Sequence, residues 1–340
     1  MKRVSRPATT CLVPAALSAL LGCLLAFAIS CSSVPRYPRP GDFVGVGSRF
    51  SGEIVVAHRS ALGGLGPRWP GNPADQTARA YLSGGFQRHG AKLRDFSKAA
   101  ANADDARLNF YAEIPGDSQD VLLLVAPYPV LGSWSWVDDT GAAILLELAR
   151  VFDIDTPAYS LRFALAEIRP RRMSRGAPSE SAEDAVMGET ASQGWERVET
   201  PEVARQRVIE AGRSLAEKIE AAGGADRIRA VIILDLGADL RFRFRRDLRS
   251  HPGFRQLFWD TATRLGEESM FPRTADWMST GSLQLGFRER GVNRILALVN
   301  DRTSPTEAPS TDELASFGRV VADGLNHLMR RFEKVDAFSR

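Results

Sequence analysis

Cysteine is the first scarcity in this 340-residue chain: Cys11, Cys23 and Cys31 are the only three, and all lie in its first 31 positions. The rest of the chain therefore has no thiol to close a disulfide or to bind a soft metal. Histidine is nearly as rare, with His58, His89, His251 and His327 alone, so a site built from several imidazoles has few positions to draw on. No Gly-x-Ser-x-Gly elbow follows a strand-like run, which excludes the α/β-hydrolase form of serine chemistry. The stretch Ala61-Leu62-Gly63-Gly64-Leu65-Gly66 has neither a buried strand before it nor a Lys-Ser/Thr pair after it, which excludes a phosphate-cradling loop. A net charge of +3 is too mild to imply nucleic acid, and no such partner is expected.

What is present begins with a leader. Lys2, Arg3 and Arg6 precede an apolar stretch from Cys11 to Ser30, the charged head and greasy core of a secretory signal. Its length would also suit a permanent membrane span. Ala28-Ile29-Ser30-Cys31 followed by Ser32-Ser33 looks like a bacterial lipoprotein cleavage box, with Cys31 as the lipidation site. Leu20-Leu21-Gly22-Cys23 is box-like too but would leave an apolar tail on the mature protein. The expectation is an exported envelope lipoprotein, with residues 1–31 as signal peptide and a lipid anchor holding the chain at a membrane.

Residues 32–72 are rich in Pro, Gly and Arg and read as a tether followed by an irregular arm. A helix is expected over Ala74 to His89, closing at Gly90. The apolar runs Val121 to Ala126, Ala230 to Leu234 and Ile295 to Val299 are continuous rather than alternating, as in strands covered on both faces. Ser160 to Ala166 is a shorter, more mixed strand. Helices are expected at about Gly141 to Phe152, Pro201 to Ala222, Pro252 to Gly266 and Thr311 to Phe332. This alternation predicts a three-layer α/β/α domain over 73–335 with a central, mostly parallel mixed sheet. Residues 169–194 have too few apolar side chains to pack and read as a mobile surface loop.

Five blocks carry a family resemblance: Asn109 to Gly116; Gly141 to Arg150 with Leu-Glu-Leu-Ala-Arg; Ser160 to Glu167; Ala230 to Ala238; and Gly286-Phe287-Arg288-Glu289-Arg290-Gly291-Val292. In order and spacing the chain resembles the zinc-dependent aminopeptidase and glutaminyl-cyclase family, from about Ala74 to Phe332. The resemblance implies a zinc-exopeptidase fold and a metal that polarises the reacting carbonyl.

The same resemblance implies where the metal donors should stand, and this chain departs from them. The strand histidine falls on Pro127. The bridging aspartate falls on Val137, with Asp138 and Asp139 just after it. Of the paired glutamates, Glu167 keeps the general-base position while the ligand position becomes Ile168. Asp235 is retained. The Asp-His before the phenylalanine turn is Leu283-Gln284, and Glu307 is the nearest donor to the missing last histidine. Within Glu53 to Ser60, His58 imitates the family's histidine strand but precedes the wrong element. Glu167 and Asp235 are thus the catalytic candidates, as general base and orienting partner.

Two surfaces stand out beside the site. Leu240-Arg241-Phe242-Arg243-Phe244 alternates, so an extended segment would bury the phenylalanines and present Arg241 and Arg243, with Asp239 and Asp247 as local partners. Trp134 and Trp136 flank the site and, with Gln284, could line a binding pocket. The leading expectation is a lipid-anchored, metal-free pseudoenzyme that binds a peptide end, an anionic envelope component or a protein. The alternative is an active aminopeptidase or glutaminyl cyclase with a rearranged carboxylate site from Asp138, Asp139, Asp235 and Glu307, holding zinc or another divalent metal.

Overall fold

The computed structural model describes residues 45–68, 72–96, 110–129, 138–168, 201–236, 241–273, 276–280, 282–301 and 307–338. Cys31, Trp134, Trp136, Val137, Asp239 and the predicted loop at 169–194 lie outside them. No helix among the described residues is long and apolar enough to cross a membrane.

The region expected to be an irregular arm is helical instead. After a short 3-10 turn at Val46–Arg49, α1 runs Gly52–Gly63, opened by Ser51, whose hydroxyl accepts from Ile54 N. The segment belongs to the compact unit Val44–Arg340 rather than standing outside a domain that begins at 73. Its helical character is hidden because only Gly52, Val55 and Leu62 are buried, too sparse a stripe to stand out from a Gly- and Arg-rich background. Close backbone approach explains the glycines: a Cβ at Gly52 would collide with the carbonyl of Thr311, and one at Gly318 with the Phe50 ring.

Helix α2 covers Pro73–Arg88, with Asn72 as cap and proline in its first turn, a favourable start for a helix. The sheet comprises β1 (Lys92–Asp95), β2 (Phe110–Ile114), β3 (Ser118–Pro129), β4 (Tyr159–Ile168), β5 (Ile228–Asp235) and β6 (Ile295–Val299). The remaining helices among the described residues are α3 (Thr140–Phe152), α4 (Pro201–Ala221), α5 (Pro252–Leu265), α6 (Leu283–Glu289) and α7 (Thr311–Phe338). Strand order is β1-β2-β4-β3-β5-β6. The first two junctions are antiparallel and the last three parallel.

Continuous apolar runs became the central strands for the reason their pattern implies. Along β3, Leu122, Leu124, Ala126 and Tyr128 join the core beneath α1, α2, α3, α5 and α7, while Leu123 and Val125 join a second core with Val208 and Leu215 of α4. Alternation of side chains about a pleated strand requires both faces to be apolar here. From β3 the chain passes through α3 to β4 on one side, then through α4 to β5 on the other. The carboxyl ends of these three strands therefore frame a topological switch point, where open α/β sheets place their sites.

Helix α7 packs on α5 with a histidine between them. Nδ1 of His327 lies 3.2 Å from Thr261 Oγ1 and 2.9 Å from a guanidinium nitrogen of Arg264. Burial, followed by the charges of Arg264 and Arg330, pushes its pKa down to about 4. The unfolded chain takes up this proton near pH 6.5, the folded chain only near pH 4, so the stabilisation is full above 6.5 and lost as pH falls through that window. Wild-type unfolding free energy should drop by about 2–3 kcal/mol between pH 7 and 4 from this residue. In urea titrations, His327→Gln should show a correspondingly flatter pH dependence. An unchanged slope would remove His327 as its source.

Candidate functional site

The switch point is polar and closed by arginine. Tyr128 and Glu167 are cross-strand neighbours near the ends of β3 and β4, and Asp235 ends β5 at 2% exposure. Asp138 and Asp139 sit immediately before α3, both buried. Asp138 turns onto the helix start, accepting from Thr140 N at 2.9 Å and from its hydroxyl at 2.8 Å. The first of these bonds satisfies an orphan N–H of the first turn, which is why an aspartate serves at this point.

Three arginines from the amino-terminal helices and the segment between them meet these acids. Arg59 of α1 approaches Asp138 at 3.0 Å. Arg68, with 0% of its surface exposed, donates to Asp139 Oδ2 at 2.9 Å and to the Tyr128 hydroxyl at 3.3 Å. Its guanidinium carbon lies 4.9 Å from the Tyr128 ring centroid, within cation–π range. Arg79 of α2 reaches Glu167 at 3.2 Å while holding Asp75 at 2.9 Å. No sequence signal beyond the arginine content of 32–72 pointed to Arg59 or Arg68. The i,i+4 spacing of Asp75 and Arg79 was legible but said nothing of Glu167.

Burial dominates the protonation equilibria. It pushes Asp138 up, opposed chiefly by the Arg59 charge, and Asp139 up, opposed by the hydrogen bond and charge of Arg68. Burial likewise raises Tyr128 well above the usual phenol range. For Arg68, burial works against the charged form, but the bond and charge of Asp139 more than restore it. Arg68 thus keeps its charge against Asp139 and opposes the burial that raises that carboxyl. Asp139 Oδ1 and Arg68 Nε have no hydrogen-bond partner among the described residues.

The other sequence candidates are dispersed. Glu307 is a surface residue at 69% side-chain exposure, 4.0 Å from Arg241. Arg241 also pairs with Glu313 at 3.2 Å, and Arg243 is exposed. Phe242 and Phe244 are buried, as the alternation predicted, stacking towards Phe317. Gln284 lies wholly inside rather than on a binding surface: its amide donates to Asp247 Oδ2 and to Ser279 Oγ. Asp247 thus faces inward to Gln284, and Arg241, one of the arginines expected to hold it, pairs with Glu313 instead. The apolar neighbours of Gln284 explain its inward orientation, since Leu283 and Phe287 of the same short helix are buried with it.

Zinc requires nitrogen or oxygen donors at each ligand position. Pro127 has none to offer, and Ile168 is an aliphatic side chain at 0% exposure. His58 bonds the Tyr81 hydroxyl at 2.7 Å, His89 caps α2, His251 precedes α5 and His327 lies on α7. No group of three or more His, Cys, Asp or Glu able to hold a metal occurs among the described residues. A guanidinium fixed 2.9 Å from Asp139 would also repel a dication. At Pro127 and Ile168, two positions that the resemblance gives to metal ligands, no side-chain donor is present.

Solved structures with this arrangement of elements include glutaminyl cyclases and zinc-dependent exopeptidases. A Porphyromonas gingivalis glutaminyl cyclase matches with a TM-score of 0.60 at 14% identity, over 82% of this chain and 99% of that one. A leucine aminopeptidase precursor from Bacteroides thetaiotaomicron matches at 0.59 and 14%, over 82% and 97%. A zinc-dependent exopeptidase from Parabacteroides distasonis gives 0.56 and 15%, over 81% and 97%. No family model and no curated protein matches the chain. The chain therefore has the zinc-exopeptidase-like fold of these proteins, an α/β architecture whose mixed sheet has six strands among the described residues.

Proposed function

We propose that this is a lipid-anchored envelope protein that uses a zinc-exopeptidase-like fold for binding rather than metal-dependent catalysis. The observation carrying the reading is Arg68, a fully buried cation held on Asp139 and Tyr128 at the switch point. In the resembling enzymes this region is where a dication would meet carboxylates. Here the positive charge is covalently part of the chain, and Asp138 and Glu167 are engaged by Arg59 and Arg79 in the same way. A carboxylate already occupied by a guanidinium is not turned towards a water or substrate, and base catalysis without an electrophile supplies only a small part of a hydrolase's acceleration. Anchoring is supported by the box ending at Cys31. The ligand class that suits an exopeptidase-like frame is a peptide end or another protein.

Both cores and every described element lie within Val44–Arg340, so the chain from Ser32 onward retains the whole folded unit. Purified without chelator or affinity metal, it should contain under about 0.1 equivalent of zinc by plasma mass spectrometry. Added zinc should leave its melting temperature unmoved, because a ligand binding only the native state must raise it. One or two equivalents, lost on Asp235→Ala, together with turnover of aminopeptidase or glutaminyl substrates, would instead establish the rearranged metalloenzyme. Anchoring is checked by the mass of the intact envelope-purified chain, which should begin at Cys31 and carry acyl groups.

A further inference from the structure

We propose that the face bearing Arg249, Arg288, Arg294 and Arg331 around His251 docks on an anionic phospholipid surface. This segment runs along the free edge of β6: His251 N donates to Ile295 O at 2.6 Å, and Ala297 N donates to Ser250 Oγ at 3.0 Å. Arg294 immediately precedes that strand. Arg288 of α6 joins from one side, its guanidinium donating to the Arg249 carbonyl at 3.0 Å. Arg331 of α7 joins from the other. A methyl placed on Gly253 would lie 3.3 Å from His251 Cε1 and 4.0 Å from a guanidinium nitrogen of Arg331.

Among the described residues no carboxylate lies within ion-pair distance of these four arginines, whereas Arg229 clamps Asp120 and Asp336 and Arg290 holds Glu220. Burial, then the charges of Arg294 and Arg331, lowers the pKa of His251. Arg288, Arg294 and Arg331 are solvent-exposed. Gathering like charges costs free energy unless an anion offsets it, and the resulting outward field suits a surface of many phosphates better than one buried anion.

An anionic lipid surface is favoured because the expected anchor brings one within reach, and in that respect the inference rests on the lipoprotein reading. About thirteen residues separate Cys31 from Gly45, a span of about 45 Å when extended. The folded unit receives this tether beside α7, where Gly47 N donates to Asp323 at 2.7 Å. Arg331 is two helical turns further along the same helix, about 12 Å away.

The test uses the unlipidated chain from Ser32, so that binding through the patch is read apart from the anchor. Sedimentation with vesicles of phosphatidylcholine containing about 30% phosphatidylglycerol should show binding at 0.05 M salt that is lost by 0.5 M, with none to pure phosphatidylcholine. Each arginine near such a surface contributes about fivefold, so Arg294→Ala with Arg331→Ala should weaken binding about twenty-five-fold. Lys92→Ala with Arg94→Ala, on the opposite sheet edge, removes the same charge and should change it less than threefold. Circular dichroism and melting confirm that both double variants fold. Absence of vesicle binding, or equal loss in the two double variants, overturns the inference. An acylated Cys31 alongside either result would leave the anchoring itself intact, while vesicle binding by a chain that proves unlipidated would sustain the patch alone.

Discussion

Arg68→Ala should cost the fold about 3–5 kcal/mol, because it leaves the Asp139 carboxylate buried without its counter-charge. The wild-type pair is not thereby a large source of stability. Burial already holds Asp139 above the ordinary carboxylate range despite the arginine, and the unsatisfied Oδ1 and Nε atoms add to the desolvation cost. Removing both charges together should be far less harmful than removing one. Arg68→Met with Asp139→Asn keeps similar volume and should lie within about 1.5 kcal/mol of wild type. Urea unfolding of wild type, Arg68→Met, Asp139→Asn and the double variant gives the coupling energy directly. A value of about 2 kcal/mol or more is expected, and simple additivity within about 0.5 kcal/mol would mean that Arg68 is not the charge Asp139 answers to. The cycle also bears on function, since adding zinc to Arg68→Ala asks whether the arginine alone keeps a dication away. Restored melting temperature with zinc would show that the remaining donors suffice once it is gone.

The sheet was legible in the sequence because burial on both faces leaves continuous apolar runs, and β3, β5 and β6 were found that way. The carboxyl ends of β3 and β4 were underestimated, since the prolines closing β3 and the glutamate within β4 interrupt the apolar pattern: β3 extends to Pro129 and β4 to Ile168. Helices α2, α3, α4 and α5 were placed by caps and spacing within a residue or two. Helix α7 continues to Phe338, past the Phe332 at which its apolar stripe thins. The amino-terminal helix was illegible for the converse reason, since it docks through Gly52 and Phe50 against α7 rather than through an apolar stripe. At the site, the substitutions Pro127 and Ile168 could be read one residue at a time, because a ligand position is a local property. The arginines that meet the remaining acids could not. Asp139 and Arg68 are 71 positions apart, and nothing in a solvated-looking arginine distinguishes it from one that will be fully enclosed. Gln284 shows the same limit: its position in the motif was identified, but its inward orientation depends on Asp247 and Ser279, which no spacing rule connects to it.

Glu147 offers the second large effect and links the amino-terminal helix to the sheet. The Leu-Glu-Leu-Ala-Arg block of α3 places it one turn before Arg150, and the two side chains close a bidentate pair at 2.6 and 2.7 Å. The same carboxylate accepts from Ser51 N at 2.7 Å, at the point where α1 begins. Glu147 is fully buried, but Arg150 keeps 28% of its side chain exposed. That exposure allows the orphaned guanidinium to recover water, so Glu147→Ala should cost about 2–4 kcal/mol, somewhat less than a fully enclosed pair would. Glu147→Gln should cost about half as much, because its amide oxygen can still accept from Ser51 N while the charge attraction is lost. Hydrogen exchange separates the two roles. In Glu147→Ala the amides of Gly52–Gly63 should lose protection before those of β3, since Ser51 N and the start of α1 are released locally. Equal loss across both elements would mean that Glu147 supports the core generally rather than fastening α1. Because α1 carries Arg59 and leads directly to Arg68, selective release should also loosen the arginines from Asp138 and Asp139, which makes this glutamate a positioning residue for the closed site.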